Sequence, residues 1–154
     1  LDVSNCRRIT NVGDMERLRI LNITASAVVD LAASIVATID AMESEGIVEN
    51  ARRIGSDVLA PALTDLAERH PVVGEVRGEG VFWALELVAD RDTRDPLRAG
   101  EIARAKSEML ARGLLPFTVD NRIHVVPPCT VSADEVARAV EIYDDVLALL
   151  DAAL

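Results

Sequence analysis

The stretch HPVVGEVRGEGVFWALELV, His70 to Val88, decides the fold. Val72 and Val73 begin a β-branched run, Gly78 and Gly80 permit backbone angles that other residues resist, and an apolar run resumes from Val81 to Val88. The spacing predicts two strands joined at a glycine-bearing turn. In the second strand the odd positions Val81, Trp83, Leu85 and Leu87 are all apolar, whereas the even positions Phe82, Ala84, Glu86 and Val88 are mixed. One face is therefore expected to be fully buried and the other partly so, with helices over the buried face. The RGEG segment, Arg77 to Gly80, is compatible with an anion-binding nest, but a tight strand connection accounts for it as well.

Upstream, Ala27, Leu31, Ile35, Thr38, Ile39 and Met42 recur at steps of three and four, which predicts a helix from about Ser26 to Ser44, ending at Glu45-Gly46. That helix is apolar or small around much of its circumference, more than one sheet face can cover, and self-association through it is expected. A second helix follows, with Ile47, Ala51, Ile54, Val58 and Leu66 as its buried stripe and Glu49, Arg52, Arg53 and Asp65 outside. Pro61 removes a backbone donor and is expected to kink it, and His70-Pro71 to stop it. Residues 1 to about 22 carry Arg7, Arg8, Arg17 and Arg19 at no clean period and receive no element.

Downstream, the connector ADRDTRDP, Ala89 to Pro96, reads as a solvated loop. Asp90, Asp92 and Asp95 resemble the start of a calcium loop without its glycine and distal glutamate, so no metal is expected there. A helix from about Ala99 to Arg112 turns Ile102, Ala105, Met109 and Leu110 inward, with Gly113 as its C-terminal cap. A hairpin follows, Leu114 to Thr118 and Arg122 to Val126, turned through Asp120-Asn121 and halted by Pro127-Pro128. Ser132 and Glu135 form a capping box for a last helix whose Val136, Val140, Tyr143, Leu147 and Leu150 share one face. The class is α+β: a small, mostly antiparallel sheet with helices on one side, preceded by long connecting helices.

A length of 154 residues with half of them hydrophobic suffices to close a core, and the net charge of −10 argues against nucleic-acid and anionic-membrane partners. No apolar run approaches the roughly 18 residues of a spanning helix. The start LDVSNCRRIT lacks signal-peptide order, and a cytoplasmic location is the expectation. Cys6 and Cys129 are too few for a disulfide framework, fit a reducing compartment and are read as small packed hydrophobes.

The sequence contains no nucleophile elbow, phosphate loop, dinucleotide fingerprint, paired-histidine zinc motif or CxxC, and no catalytic residue is assigned. His70, before a proline at a helix end, is expected to cap carbonyls or lie on the surface. His124, on the strand Ile123-His124-Val125, reads first as a satisfied structural histidine and second as a site residue.

The order of segments carries a resemblance. IDAMESEGIVENARRIG (Ile39 to Gly55), HPVVGEVRGEGVFWALELVADRDTRDPL (His70 to Leu97) and NRIHVVPPCTVSADEV (Asn121 to Val136) resemble the C-terminal third of class III aminotransferases, which are fold-type I pyridoxal-phosphate enzymes. The match covers residues 31 to 154, read as the small domain with its connecting helix, and leaves 1 to 30 as an unassigned arm or altered segment. Trp83 and IHVVPP look closest to the branch acting on ω-amino acids or amines with pyruvate. The resemblance implies a homodimer with active sites at the subunit interface, a small-molecule amino donor and a 2-oxo acid acceptor.

It also implies a Schiff-base lysine. The only lysine of this sequence is Lys106, on the outer face of the helix Ala99 to Arg112. The chain alone is therefore expected neither to hold pyridoxal phosphate nor to transaminate. Thr24 alone aligns with a cofactor contact, in the family's phosphate-binding motif, whose glycine and proline have no counterpart in Thr24-Ala25-Ser26-Ala27-Val28-Val29. His124 aligns with the arginine that in many members pairs with the substrate's α-carboxylate. Histidine cannot make the bidentate fork, which favours ω-amino or amine donors. The competing readings are a non-catalytic domain that dimerises through its former large-domain interface, and an aminomutase of the same fold.

Overall fold

The computed structural model describes residues 25–154, in two compact units that divide between Gly46 and Ile47. Of the first unit it describes helix α1, Ala25–Ser44, which closes at Gly46, a glycine with φ of 61°. Leu31, Val36, Ile39 and Met42 of α1 are exposed. No helix among the described residues is long and apolar enough to cross a membrane.

The second unit opens with α2, Ile47–Ile54, which runs through a π-helical segment, Gly55–Leu59, into α3, Ala60–Arg69. The expected kink at Pro61 takes the form of this wide turn just upstream of it. Ala60 N–H reaches back five residues to the Gly55 carbonyl, the register shifts by one, and Pro61 falls in the first turn of α3, where its missing donor costs least. Ile54, Leu59, Leu63 and Leu66 are buried, so the stripe holds at Ile54 and Leu66 and adds two leucines that the sequence reading did not name.

Strands β1, Val73–Glu79, and β2, Phe82–Leu87, pair antiparallel around the Gly80-Val81 turn. Gly80 has φ of 55°, its carbonyl accepts the Trp83 indole N–H at 2.7 Å, and the turn lies so close to Gly55 that a Cβ there would come 2.2 Å from the Gly80 oxygen. The tight connection is thus the reading that holds for RGEG. Helix α4, Ala99–Ala111, ends in a Schellman motif: Gly113 N–H bonds the Leu110 carbonyl, and Leu114 N–H bonds the Met109 carbonyl. Ile102, Ala105 and Met109 face the core as expected, but Leu110 is exposed, because it stands one position past the buried stripe.

Strands β3, Phe117–Val119, and β4, Arg122–Val125, form the second hairpin, and α5, Ala133–Asp151, closes the chain behind the Ser132–Glu135 capping box. The sheet order is β1-β2-β4-β3, antiparallel throughout. Leu85, Leu87, Ile123 and Val125 point from one face of this sheet into a core shared with Leu63, Met109, Val136, Tyr143, Leu147 and Leu150 from the helices. The expected class is the observed one, and helices cover one face. On the other face Glu75, Arg77 and Glu86 stand in cross-strand rungs, and Arg94 joins them from the connector.

Two further expectations change. His70 caps α3 through its backbone N–H, which donates to the Leu66 carbonyl at 2.9 Å, but its ring is neither at the surface nor on a carbonyl: the residue is only 5% exposed, with Nδ1 2.6 Å from Asp151 Oδ2 and Nε2 2.6 Å from Asp144 Oδ1. Beside it the Arg91 guanidinium bonds the carbonyls of Ala67 in α3 and of His70, Pro71 and Val73 after it, so the connector is anchored at this point. Cys129 is exposed rather than packed, and its carbonyl accepts from the Asn50 amide at 2.8 Å. Asp90 spends its carboxylate on the backbone N–H groups of Asp92 and Thr93, a local turn.

Candidate functional site

The strand β4 sorts its side chains by alternation. Ile123 and Val125 are buried in the core, so Arg122 and His124 occupy the opposite face. The two-residue turn at Asp120-Asn121, with Asp120 at φ 52°, sets Phe117 opposite His124 and Val119 opposite Arg122. Asn121 fixes the hairpin against β2: its side-chain amide donates to the Leu87 carbonyl at 2.7 Å, and Leu87 N–H donates to its backbone oxygen at 2.8 Å. The β2–β4 register then places Ala84 beside His124 and Glu86 beside Arg122.

His124 consequently stands between two aromatic rings. Its centroid lies 5.2 Å from that of Phe117 and 6.2 Å from that of Phe82, the latter in an edge-to-face arrangement. Phe82 and Phe117 are 61% and 63% exposed. Among the described residues His124 Nδ1 is buried without a hydrogen-bond partner. Such a group costs about 1–3 kcal/mol, so the expectation of a satisfied structural histidine is not met.

At the end of β4 a cavity of about 360 Å³ opens, lined by Leu59, Phe117, His124, Val131, Val140 and Tyr143 among others. Its wall is mostly apolar. Burial pushes the Tyr143 phenol up to about 12, so it remains protonated throughout the neutral range. The charged part of the open face lies beside the aromatic part: Arg77 holds Glu86 at 2.9 Å, Arg94 holds Glu75 at 2.7 Å, and Arg122 holds Asp120 at 2.9 Å. The Glu75 carboxyl is kept below its usual range by the hydrogen bond from Arg94, with smaller help from Arg77.

Of the residues singled out from sequence, His124 is on this face and Thr24 lies outside the described residues. Lys106 is exposed on α4, whose buried side faces the core. The sequence reading missed Phe82, Phe117 and Arg122. Period-two alternation from His124 and pairing across the Asp120-Asn121 turn would have found Arg122 and Phe117.

Among the described residues, then, the small antiparallel sheet carries helices on one face and, on the other, Phe82, Phe117 and a histidine whose Nδ1 has no hydrogen-bond partner. Residues 28–147 match the Aminotransferase class-III family, and the chain belongs to it. It is 35% identical over 127 residues to a taurine–pyruvate aminotransferase of Rhodobacter capsulatus, covering 78% of this chain and 28% of that protein. It is also 30% identical over 124 residues to an ethanolamine-phosphate phospho-lyase homolog of Caenorhabditis elegans, covering 77% of this chain and 26% of that one. An amine transaminase from an uncultivated Pseudomonas species, solved with pyridoxal phosphate bound, superposes with a TM-score of 0.69 at 38% identity over 74% of this chain and 26% of its own. The chain thus spans about a quarter of the length of these relatives.

The described residues do not fit pyridoxal phosphate. The one lysine in the sequence is Lys106, exposed on α4, and the cavity wall offers apolar side chains where a phosphate would need donors.

Proposed function

We propose that this chain forms the substrate-side wall of a transaminase that moves an amino group from an ω-amino acid or amine to a 2-oxo acid such as pyruvate. The observation that carries the proposal is His124: an imidazole with a buried, unpartnered nitrogen, flanked by Phe82 and Phe117 on the uncovered sheet face. The family relationship and the taurine–pyruvate relative support the reaction class. In this reading the remainder of a family-length protein holds pyridoxal phosphate, whose chemistry is that of an electron sink for the donor's α-carbon. The residues of this chain bind and orient the donor. Phe82 and Phe117 cover its carbon chain and exclude water, and His124 offers one hydrogen bond where a fork would be needed to grip an α-carboxylate. The working form is a cytoplasmic homodimer, and the 154-residue chain by itself is inactive. The exposed apolar residues of α1 support self-association.

The test is steady-state kinetics of the natural protein that carries this chain, with pyruvate as acceptor and β-alanine, a simple amine and an α-amino acid as donors. His124→Arg adds a fixed charge and a forked donor, and a charge-assisted bond is worth roughly ten- to a hundredfold in kcat/KM. The expected outcome is a shift of that size toward donors bearing an α-carboxylate, with a much smaller shift for His124→Asn. Equal effects of both substitutions on all three donors would make His124 structural. With ethanolamine phosphate as a further donor, release of phosphate and ammonia without alanine formation would replace transamination by elimination, the type of reaction named for the phospho-lyase relative.

A further inference from the structure

We propose that Asn50 is a positioning residue for the candidate site: its side-chain amide holds the loop that follows β4 where that loop forms one rim of the cavity, so that donor affinity depends on Asn50 although Asn50 does not line the cavity itself. The inference rests on the transaminase reading above and names a residue that sets the shape of the same site.

Strand β4 stops at Val125, and Pro127 and Pro128 carry no backbone N–H, so the chain leaves the sheet without ladder donors of its own. It then runs along the cavity, with Val126, Pro127, Pro128 and Val131 in the wall beside Phe117 and His124. One backbone bond closes a turn within the loop, from Val131 N–H to the Pro128 carbonyl at 3.0 Å. The Val131 side chain is buried in the core and anchors the far end of the loop, whereas Cys129 is exposed.

What holds the backbone between the prolines and Val131 comes from α2. Asn50 Nδ2 donates to the Cys129 carbonyl at 2.8 Å and to the Val131 carbonyl at 3.1 Å, across 79 and 81 positions. A primary amide has two N–H groups, and here each finds one carbonyl. The Oδ1 of the same side chain accepts from Arg53 Nη2 at 3.0 Å, so both ends of the amide are in use and its orientation is fixed. Among the described residues no other side chain hydrogen-bonds the backbone from Val126 to Val131. A neutral hydrogen bond shifts an equilibrium about fivefold, and losing both would move the loop roughly twenty-fivefold toward released positions. A donor that binds only the seated loop then binds in proportion to the fraction seated.

The experiment uses the natural protein that carries this chain, with pyruvate as acceptor and β-alanine and propylamine as donors. Hydrogen exchange of the Val131 and Ser132 amides reports the loop itself. Asn50→Asp keeps the shape of the side chain but sets a carboxylate against two carbonyls. It is expected to raise KM for both donors about five- to twenty-fivefold with kcat within about twofold, and to speed exchange at Val131 and Ser132 while β2 exchanges as before. Asn50→Gln keeps both donors on a longer arm and should recover part of the KM. Arg53→Ala removes only the bond to Oδ1 and should leave KM within about twofold. A merely structural Asn50 would reduce the amount of folded enzyme, which lowers kcat and leaves KM alone, and that pattern would overturn the inference. So would a KM that rises without faster exchange in the loop, or faster exchange with KM unchanged, although the transaminase reading would then stand. A wild-type protein that aminates pyruvate from neither donor would overturn both.

Discussion

Replacing His70 with leucine keeps the volume at the α3–β1 junction and removes two contacts to carboxylates, those to Asp144 and Asp151 of α5. A hydrogen bond to a charged group contributes about 1.5–3 kcal/mol. The Asp144 side chain is 40% exposed and still holds Arg69 at 2.5 Å, so it recovers water and its share falls toward the low end. Asp151 is 20% exposed, and its other oxygen stays bound to Val72 N–H at 2.9 Å, so its freed oxygen carries most of the loss. The expected destabilisation is about 2–4 kcal/mol. Urea unfolding of the 154-residue chain measures it as a midpoint lowered by roughly 1–2 M for ordinary m-values. The pH dependence supplies a second readout. The Asp144 carboxyl is held below its usual range by the His70 hydrogen bond first and by Arg69 next. A carboxyl depressed in the folded state stabilises it above the unfolded value, near 3.9, and that contribution is lost as pH falls through the folded value. In the leucine variant the depression is smaller, so the gap between wild type and variant should narrow from about pH 5 downward. A loss below about 1 kcal/mol at neutral pH, or a gap that does not narrow in acid, would refute the assignment of His70 as the tie between α5 and the sheet.

Gly55→Ala places a methyl 2.2 Å from the Gly80 carbonyl, with backbone on both sides of the contact. It should cost about 1–3 kcal/mol or more, as overpacking does, measured as a lowered urea midpoint, with Gly100→Ala, which meets nothing within 4 Å, as the control. Ser132→Ala removes the acceptor for Glu135 N–H and one half of the capping box, and should lower stability by about 1 kcal/mol in the same assay. Glu135 reaches back to Ser132 N–H at 2.9 Å, so Glu135→Ala should cost less than the double substitution.

Local chemistry determined much of this protein from its sequence. The glycine-bearing turn made β1 and β2 a hairpin, and Asp120-Asn121 made β3 and β4 another, because each needs only neighbours in the chain. The capping box at Ser132 and the glycine after α4 are likewise local, and each sits where its hydrogen bonds require. Alternation placed His124 opposite the core once β4 was assigned. The tertiary structure decided what depends on distant partners. That β2 lies beside β4 sets Phe82 within 6.2 Å of His124, a contact across 42 positions. The buried state of His70 depends on two aspartates 74 and 81 residues away, and in sequence it was only a histidine before a proline. The close approach of Gly55, at the start of the wide turn, to Gly80 joins positions 25 residues apart, which no helical period encodes. Secondary structure follows from the few residues around each position, whereas burial and pairing follow from which apolar faces meet, and only the closed core specifies that.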